Sequence, residues 1–82
     1  MAKIVLQSNV AERFANGEKE HEFTADNVRR LIQQMDVRFP GIGKYLSTKT
    51  AIAIDGEIFQ DPFLEPIQPD SEVYFLPMIE GG

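Results

Sequence analysis

Apolar and polar positions alternate along this chain in short runs, and changes of period mark its elements. Residues 3–7, Lys-Ile-Val-Leu-Gln, form a β-branched and aliphatic run suited to a buried strand. The polar stretch 15–20 contains Asn16-Gly17, a pair that readily takes positive φ, and predicts a turn. His21-Glu22-Phe23-Thr24 returns as a second strand with Phe23 inward, so an N-terminal hairpin is expected. The period then becomes helical. Asp26 or Asn27 offers an N-cap, and Val28, Leu31, Ile32 and Met35 follow at i, i+3, i+4 and i+7 as one apolar stripe. Arg29, Arg30, Gln33 and Gln34 take the opposite face, predicting a helix over about residues 26–38. Pro40 biases Phe39 away from helix, and Gly43–Leu46 reads as one short helical turn, with Ile42, Tyr45 and Leu46 at the core edge.

Beyond it the period is two. Ile52 and Ile54 alternate with alanines, Asp55-Gly56 makes a tight turn, and Ile58 resumes in a partner strand. Residues 60–70 hold three prolines, too many for a paired central strand, and read as an ordered loop pinned by Phe63, Leu64 and Ile67. In the last strand Val73 and Phe75 point inward, opposite Tyr74 and Leu76, and Pro77 weakens pairing because it lacks an amide proton. Hairpin, helix, strand, short strand, loop and final strand make an α+β chain. That order is compatible with a β-grasp (ubiquitin-like) roll: a mixed sheet crossed by one main helix, with the last strand inserted centrally beside the first. The helix stripe should pack against Ile4, Leu6, Phe23, Ile54, Val73 and Phe75.

Composition narrows the chemistry. Eighty-two residues allow one small domain. Cysteine is absent, which excludes disulfides, thiolate metal sites and a cysteine nucleophile; His21 is the only histidine and reads as a surface residue, so no metal site is expected. There is no apolar run near the ~18 residues of a membrane span and no leader pattern at Met1, so no membrane role and a cytoplasmic location are expected. The net charge of −5 argues against nucleic acid as a partner. Its distribution is uneven. Residues 1–50 carry eight bases and six acids, a net +2, whereas residues 51–82 carry seven acids and no base, a net −7. Solubilising charge explains this, and so does an acidic face that steers a basic partner. Glu18, Glu20 and Glu22 read as solvated charge on a strand edge rather than acid–base groups.

The chain given closes on Phe75-Leu76-Pro77-Met78-Ile79-Glu80-Gly81-Gly82, so a hydrophobic strand runs through a proline into two bare glycines. Such a terminus is either slack or a useful free carboxylate. This tail, the run Pro66–Phe75 with Ile67, Glu72 and Val73 at marked positions, the capped start Asp26–Ile32 and the segment Arg38–Leu46 together resemble the ubiquitin-like sulfur carrier family. That family includes the small subunit of molybdopterin synthase and the thiamine-pathway carrier. Met78 departs from a second proline or small residue found in some members, and Asp55 stands where asparagine is frequent.

The resemblance implies a β-grasp domain over residues 1–77 and a flexible Gly-Gly tail over 78–82. It implies a protein co-substrate rather than an enzyme. A ubiquitin-activating-type enzyme would adenylate the Gly82 carboxylate with ATP, and a sulfur donor would convert it to a thiocarboxylate. A downstream sulfur-accepting enzyme would then use that sulfur in cofactor or metabolite biosynthesis. No cofactor is expected on the chain itself, since the ATP belongs to the partner. Phe75, Pro77, Met78, Ile79, Glu80 and Gly81 would then meet partners, although Met78 and Ile79 equally suit packing at the strand end. The competing readings are a ubiquitin-like modifier forming isopeptide bonds, a β-grasp interaction module with an idle tail, and an autonomous small enzyme.

Overall fold

A computed structural model describes residues 1–59 and 62–77. Among these residues the elements run in the order β1 (Ala2–Val5), α1 (Ser8–Phe14), β2 (Glu20–Phe23), α2 (Val28–Arg38), α3 (Ile42–Lys49), β3 (Thr50–Ile54), β4 (Glu57–Phe59) and β5 (Glu72–Pro77). Among the described residues the sheet order is β2-β1-β5-β3-β4. The last strand sits in the middle, parallel to β1 and antiparallel to β3. This is the expected β-grasp roll of mixed sheet with one main helix, α2, accompanied among the described residues by the shorter α1 and α3.

The core follows from the two periods. Val28, Leu31, Ile32 and Met35 are buried along one face of α2 and join Ile4, Leu6, Phe23, Ile54, Val73 and Phe75 in one cluster. At the N-terminus of α2, Asn27 Oδ1 accepts from the Arg30 amide at 2.9 Å, which satisfies one donor left free by the first turn. Two further amides of that turn are taken by the proline-rich loop: Val28 N–H donates to the Glu65 carbonyl and Arg29 N–H to the Phe63 carbonyl, at 3.1 and 2.9 Å. The Ile67 amide donates back to the Asp26 carbonyl at 2.8 Å. The loop is therefore pinned by its backbone and by buried Ile67, whereas Leu64 is 79% exposed and pins nothing.

Three other expectations need correction. β1 and β2 pair antiparallel as expected, but they do not form a simple hairpin, because α1 intervenes. Only Val10 and Ala11 of its seven residues are buried and no side chain caps its start, so its pattern is too short to signal a helix. The turn residues then close it: Asn16 and Gly17 have φ of 55° and 84°, and the Gly17 amide donates to the Ala11 carbonyl at 2.8 Å. The short turn at Gly43–Leu46 is a full eight-residue helix, α3. Its start is capped from α2, where Asp36 Oδ1 accepts from the amides of Gly41 and Gly43. A Cβ on residue 43 would lie 2.9 Å from that oxygen, so the approach requires glycine. His21, finally, is buried and not on the surface. Its Nε2–H donates to the Glu18 carbonyl at 2.7 Å and its ring meets Phe39 edge-on at 5.1 Å.

β5 is fixed where it begins. Asp55, with Gly56, forms a two-residue turn in which both φ are positive, 50° and 86°. Its carboxylate reaches across: Oδ1 accepts from the Glu72 amide at 2.8 Å and Oδ2 from the Ser71 hydroxyl at 2.9 Å. Ser71 Oγ in turn accepts from the Gln68 amide.

Two stability measurements test this account. Leu31→Ala should lower the unfolding free energy by about 2–5 kcal/mol in urea titration, the range for emptying a fully buried leucine site. Asp55→Ala should cost about 1–3 kcal/mol by leaving the Ser71 hydroxyl and Glu72 amide without their acceptor. Asp55→Asn keeps an acceptor and tolerates positive φ, so it should lose clearly less than the alanine variant.

Candidate functional site

β5 carries the chain toward its glycines, and its alternation decides what each side chain can do. Val73 and Phe75 are 0% and 1% exposed, inside the core. Phe75 therefore contributes to packing, as its inward alternation predicted, and its side chain is not available to a partner, contrary to what the family resemblance implied. Tyr74 and Leu76 stand on the other face, where sequence reasoning placed them without assigning them a role. Pro77 is exposed and remains in register opposite Thr50, at the last step of the ladder with β3. Met78, Ile79, Glu80, Gly81 and Gly82 lie outside the described residues.

The helices pack on one face of the sheet, which leaves the other face as the surface beside the tail. Its chemistry can be read from the register. Val5 pairs with Tyr74, Tyr74 with Ala53, and Ala53 with Ile58, so one apolar row crosses four strands. Ala51 opposite Leu76 extends it toward Pro77. Tyr74 is 37% exposed and Ile58 64%. At the opposite end of the same face the row is charged, with Lys3 registered against Glu22 on one side and Glu72 on the other. Lys3 Nζ also lies 3.2 Å from Glu20 Oε1. Hydrogen bonding and attraction by Glu20, with smaller help from Glu72, raise the Lys3 pKa above its ordinary value. The outer face thus changes from charged to apolar along the direction in which β5 runs.

Glu18, Glu20 and Glu22 are all exposed, Glu18 at the edge of a polar concavity it shares with Arg13 and Arg38. Among the described residues no group of three or more His, Asp or Glu is placed to hold a metal ion. Nor is any described helix long and apolar enough to cross a membrane.

Comparison with known proteins agrees with the geometry. The fold matches a chain of the BexX/CysO complex of Amycolatopsis orientalis at 19% identity, covering 100% of both chains with a TM-score of 0.84. It matches CysO of Mycobacterium tuberculosis, described as an antigen, at 16% identity over 96% of this chain and 100% of that one, with a TM-score of 0.85. It also matches the small archaeal modifier protein 1 of Methanosarcina acetivorans at 20% identity, over 99% and 95% of the two chains, with a TM-score of 0.77. At these identities the likeness is one of fold. No curated protein matches in sequence. The ThiS family model, however, matches residues 7–82, from the start of α1 through both terminal glycines. The chain belongs to the ThiS family of ubiquitin-like sulfur carriers.

Proposed function

We propose that this protein is a sulfur carrier that works through the carboxylate of Gly82. The observation that carries this reading is the family match running through Gly81 and Gly82, on a chain whose central strand leads straight into that tail. A ubiquitin-activating-type enzyme supplies ATP. The Gly82 carboxylate attacks the α-phosphorus, pyrophosphate leaves, and an acyl-adenylate results. The outer sulfur of a donor protein's persulfide then attacks the acyl carbon and displaces AMP, giving an acyl disulfide; a second thiol attacks the donor's sulfur, forms a disulfide with it and releases the thiocarboxylate. A downstream enzyme takes that sulfur for a cofactor or metabolite. The chain is a protein substrate throughout, and the ATP chemistry fits a cytoplasmic setting.

Physical demands on the tail follow. The five residues from Met78 to Gly82 can span at most roughly 17 Å. That reach lets a bulky domain stay outside while the carboxylate enters an enclosed nucleotide site. Glycine has no Cβ, so Gly81 and Gly82 present a narrow chain and leave the acyl carbon open to attack. A second reading, a modifier joined to lysines through isopeptide bonds, draws on the fold match to the small archaeal modifier protein. Peptide mapping of conjugates separates the two, because a carrier yields a free thiocarboxylate and a modifier a branched peptide.

The decisive variants sit at the tail. Deleting Gly82 removes roughly 3.5 Å of reach, comparable to the whole tolerance for attack at an acyl centre. Gly81→Val adds a β-branched side chain where the tail must thread. Neither change touches the described core, so both proteins should melt with the parent. Both should fail to support ATP–pyrophosphate exchange by the cognate activating enzyme, while the parent supports it. Exchange by the truncated protein at the parental rate would refute the carrier reading. Mass spectrometry of untagged protein should also show a +16 Da species on Gly82, with methionine oxidation excluded by fragmentation.

A further inference from the structure

A concavity of about 540 Å³ opens at the end of the sheet where β5 finishes. Leu46 of α3, Ile58 and Phe59 of β4, Phe63 of the loop, and Leu76 and Pro77 of β5 line it. The volume lies in the range of sites that enclose a ligand group. None of the described residues that line it is charged. Thr50 also faces it, but the Thr50 hydroxyl is committed to the Leu46 carbonyl at 2.7 Å, so it offers the groove no free donor. Six large hydrophobic side chains are exposed among the described residues, and four of them belong to this region: Ile58, Phe63 and Leu64 around the groove, and Tyr74 in the adjoining row. Apolar surface gathered this way marks an interaction site. One rim is held firmly, because the Phe63 carbonyl is hydrogen-bonded to the Arg29 amide of α2.

Position and charge identify the occupant. The groove wall includes Leu76 and Pro77, so a protein that takes hold of the chain beyond Pro77 works beside it. Residues 51–82 carry seven acids and no base, with Glu57 and Glu65 in the two segments that supply the Ile58 and Phe63 walls. Arg29 stands beyond the Phe63–Leu64 rim, on the α2 side. We propose that the groove receives an apolar side chain of the activating enzyme, carried on a segment flanked by lysine or arginine. Seating it sets the direction in which the tail leaves the domain. This proposal rests on the carrier reading and adds a docking determinant separate from the reacting carboxylate.

Binding and exchange distinguish the two. Ile58→Asp and Phe63→Asp place a charge in the groove at partly exposed positions, so thermal melting should confirm that both fold. Val37→Asp, at an 84% exposed position of α2 outside the groove, is the control. Affinity for the purified activating enzyme, read by fluorescence anisotropy, should weaken about tenfold or more in each groove variant, as for a buried anchor, and stay at the parental value in the control. The Gly82 deletion should retain groove-dependent binding while losing exchange. Parental affinity in both groove variants, or equal weakening by Val37→Asp, would overturn the proposal. A parental affinity indifferent to salt would overturn the basic flank. Sedimentation of the parent as a dimer that Ile58→Asp converts to monomer would overturn it too, in favour of a second copy as occupant. If the parent binds through the groove yet supports no exchange, the docking site stands and the carrier chemistry falls.

Discussion

The last strand of the chain closes the sheet. β5 makes backbone hydrogen bonds on both sides, to β1 with residue 3 registered against residue 72 and to β3 across a much shorter loop. Until it docks, β1 and β3 have no common partner and the inward side chains of Val73 and Phe75 are missing from the core. Parallel pairing between the two ends of a sequence requires nearly the whole chain to be gathered first, which makes the closing step costly in entropy and slow. The Asp55 carboxylate answers part of that cost locally. By holding the Ser71 hydroxyl and the Glu72 amide it fixes the first residue of β5 against the β3–β4 turn. A one-residue slip there would exchange the faces of the whole strand, burying Tyr74 and exposing Phe75.

Where the sequence was legible, a strong period or a turn with one solution carried the signal. The α2 stripe, the Asp55-Gly56 turn and the alternation of β5 each state their geometry without help from the rest of the chain. What escaped was short or depended on distant partners. α1 buries only two residues and lacks a side-chain cap, so neither period nor boundary shows. The extent of α3 depends on Asp36, a residue of α2 that nothing local connects with Gly41 and Gly43. His21 looked like surface because its neighbours Glu20 and Glu22 are charged. On a strand those neighbours face the other way, and the alternation buries it.

The candidate site divides along the same line. The tail is a linear signal and was legible as such, although its residues beyond Pro77 lie outside the described structure. The surface around its base was not legible. Val5, Ala53, Ile58 and Tyr74 come from four strands and form a row only through the register. The groove draws on α3, β3, β4, the loop that follows β4, and β5. In one respect the motif misled where the alternation did not: Phe75 belongs to the tail motif as text but to the core as a side chain, and of its neighbours Tyr74 is exposed and Leu76 half-buried on the other face.

The parallel seating of β5 against β1 also has a mechanical meaning. The two strands run the same way, so Ala2 and Pro77 leave their pair at opposite ends. Tension applied between the start of the chain and its tail therefore loads the hydrogen bonds of that ladder together, in shear, instead of opening them one after another. Resistance to such a pull is governed by the barrier to unfolding rather than by equilibrium stability. A domain of this size is thereby built so that force drawn through its last strand is shared across the short ladder and not taken bond by bond.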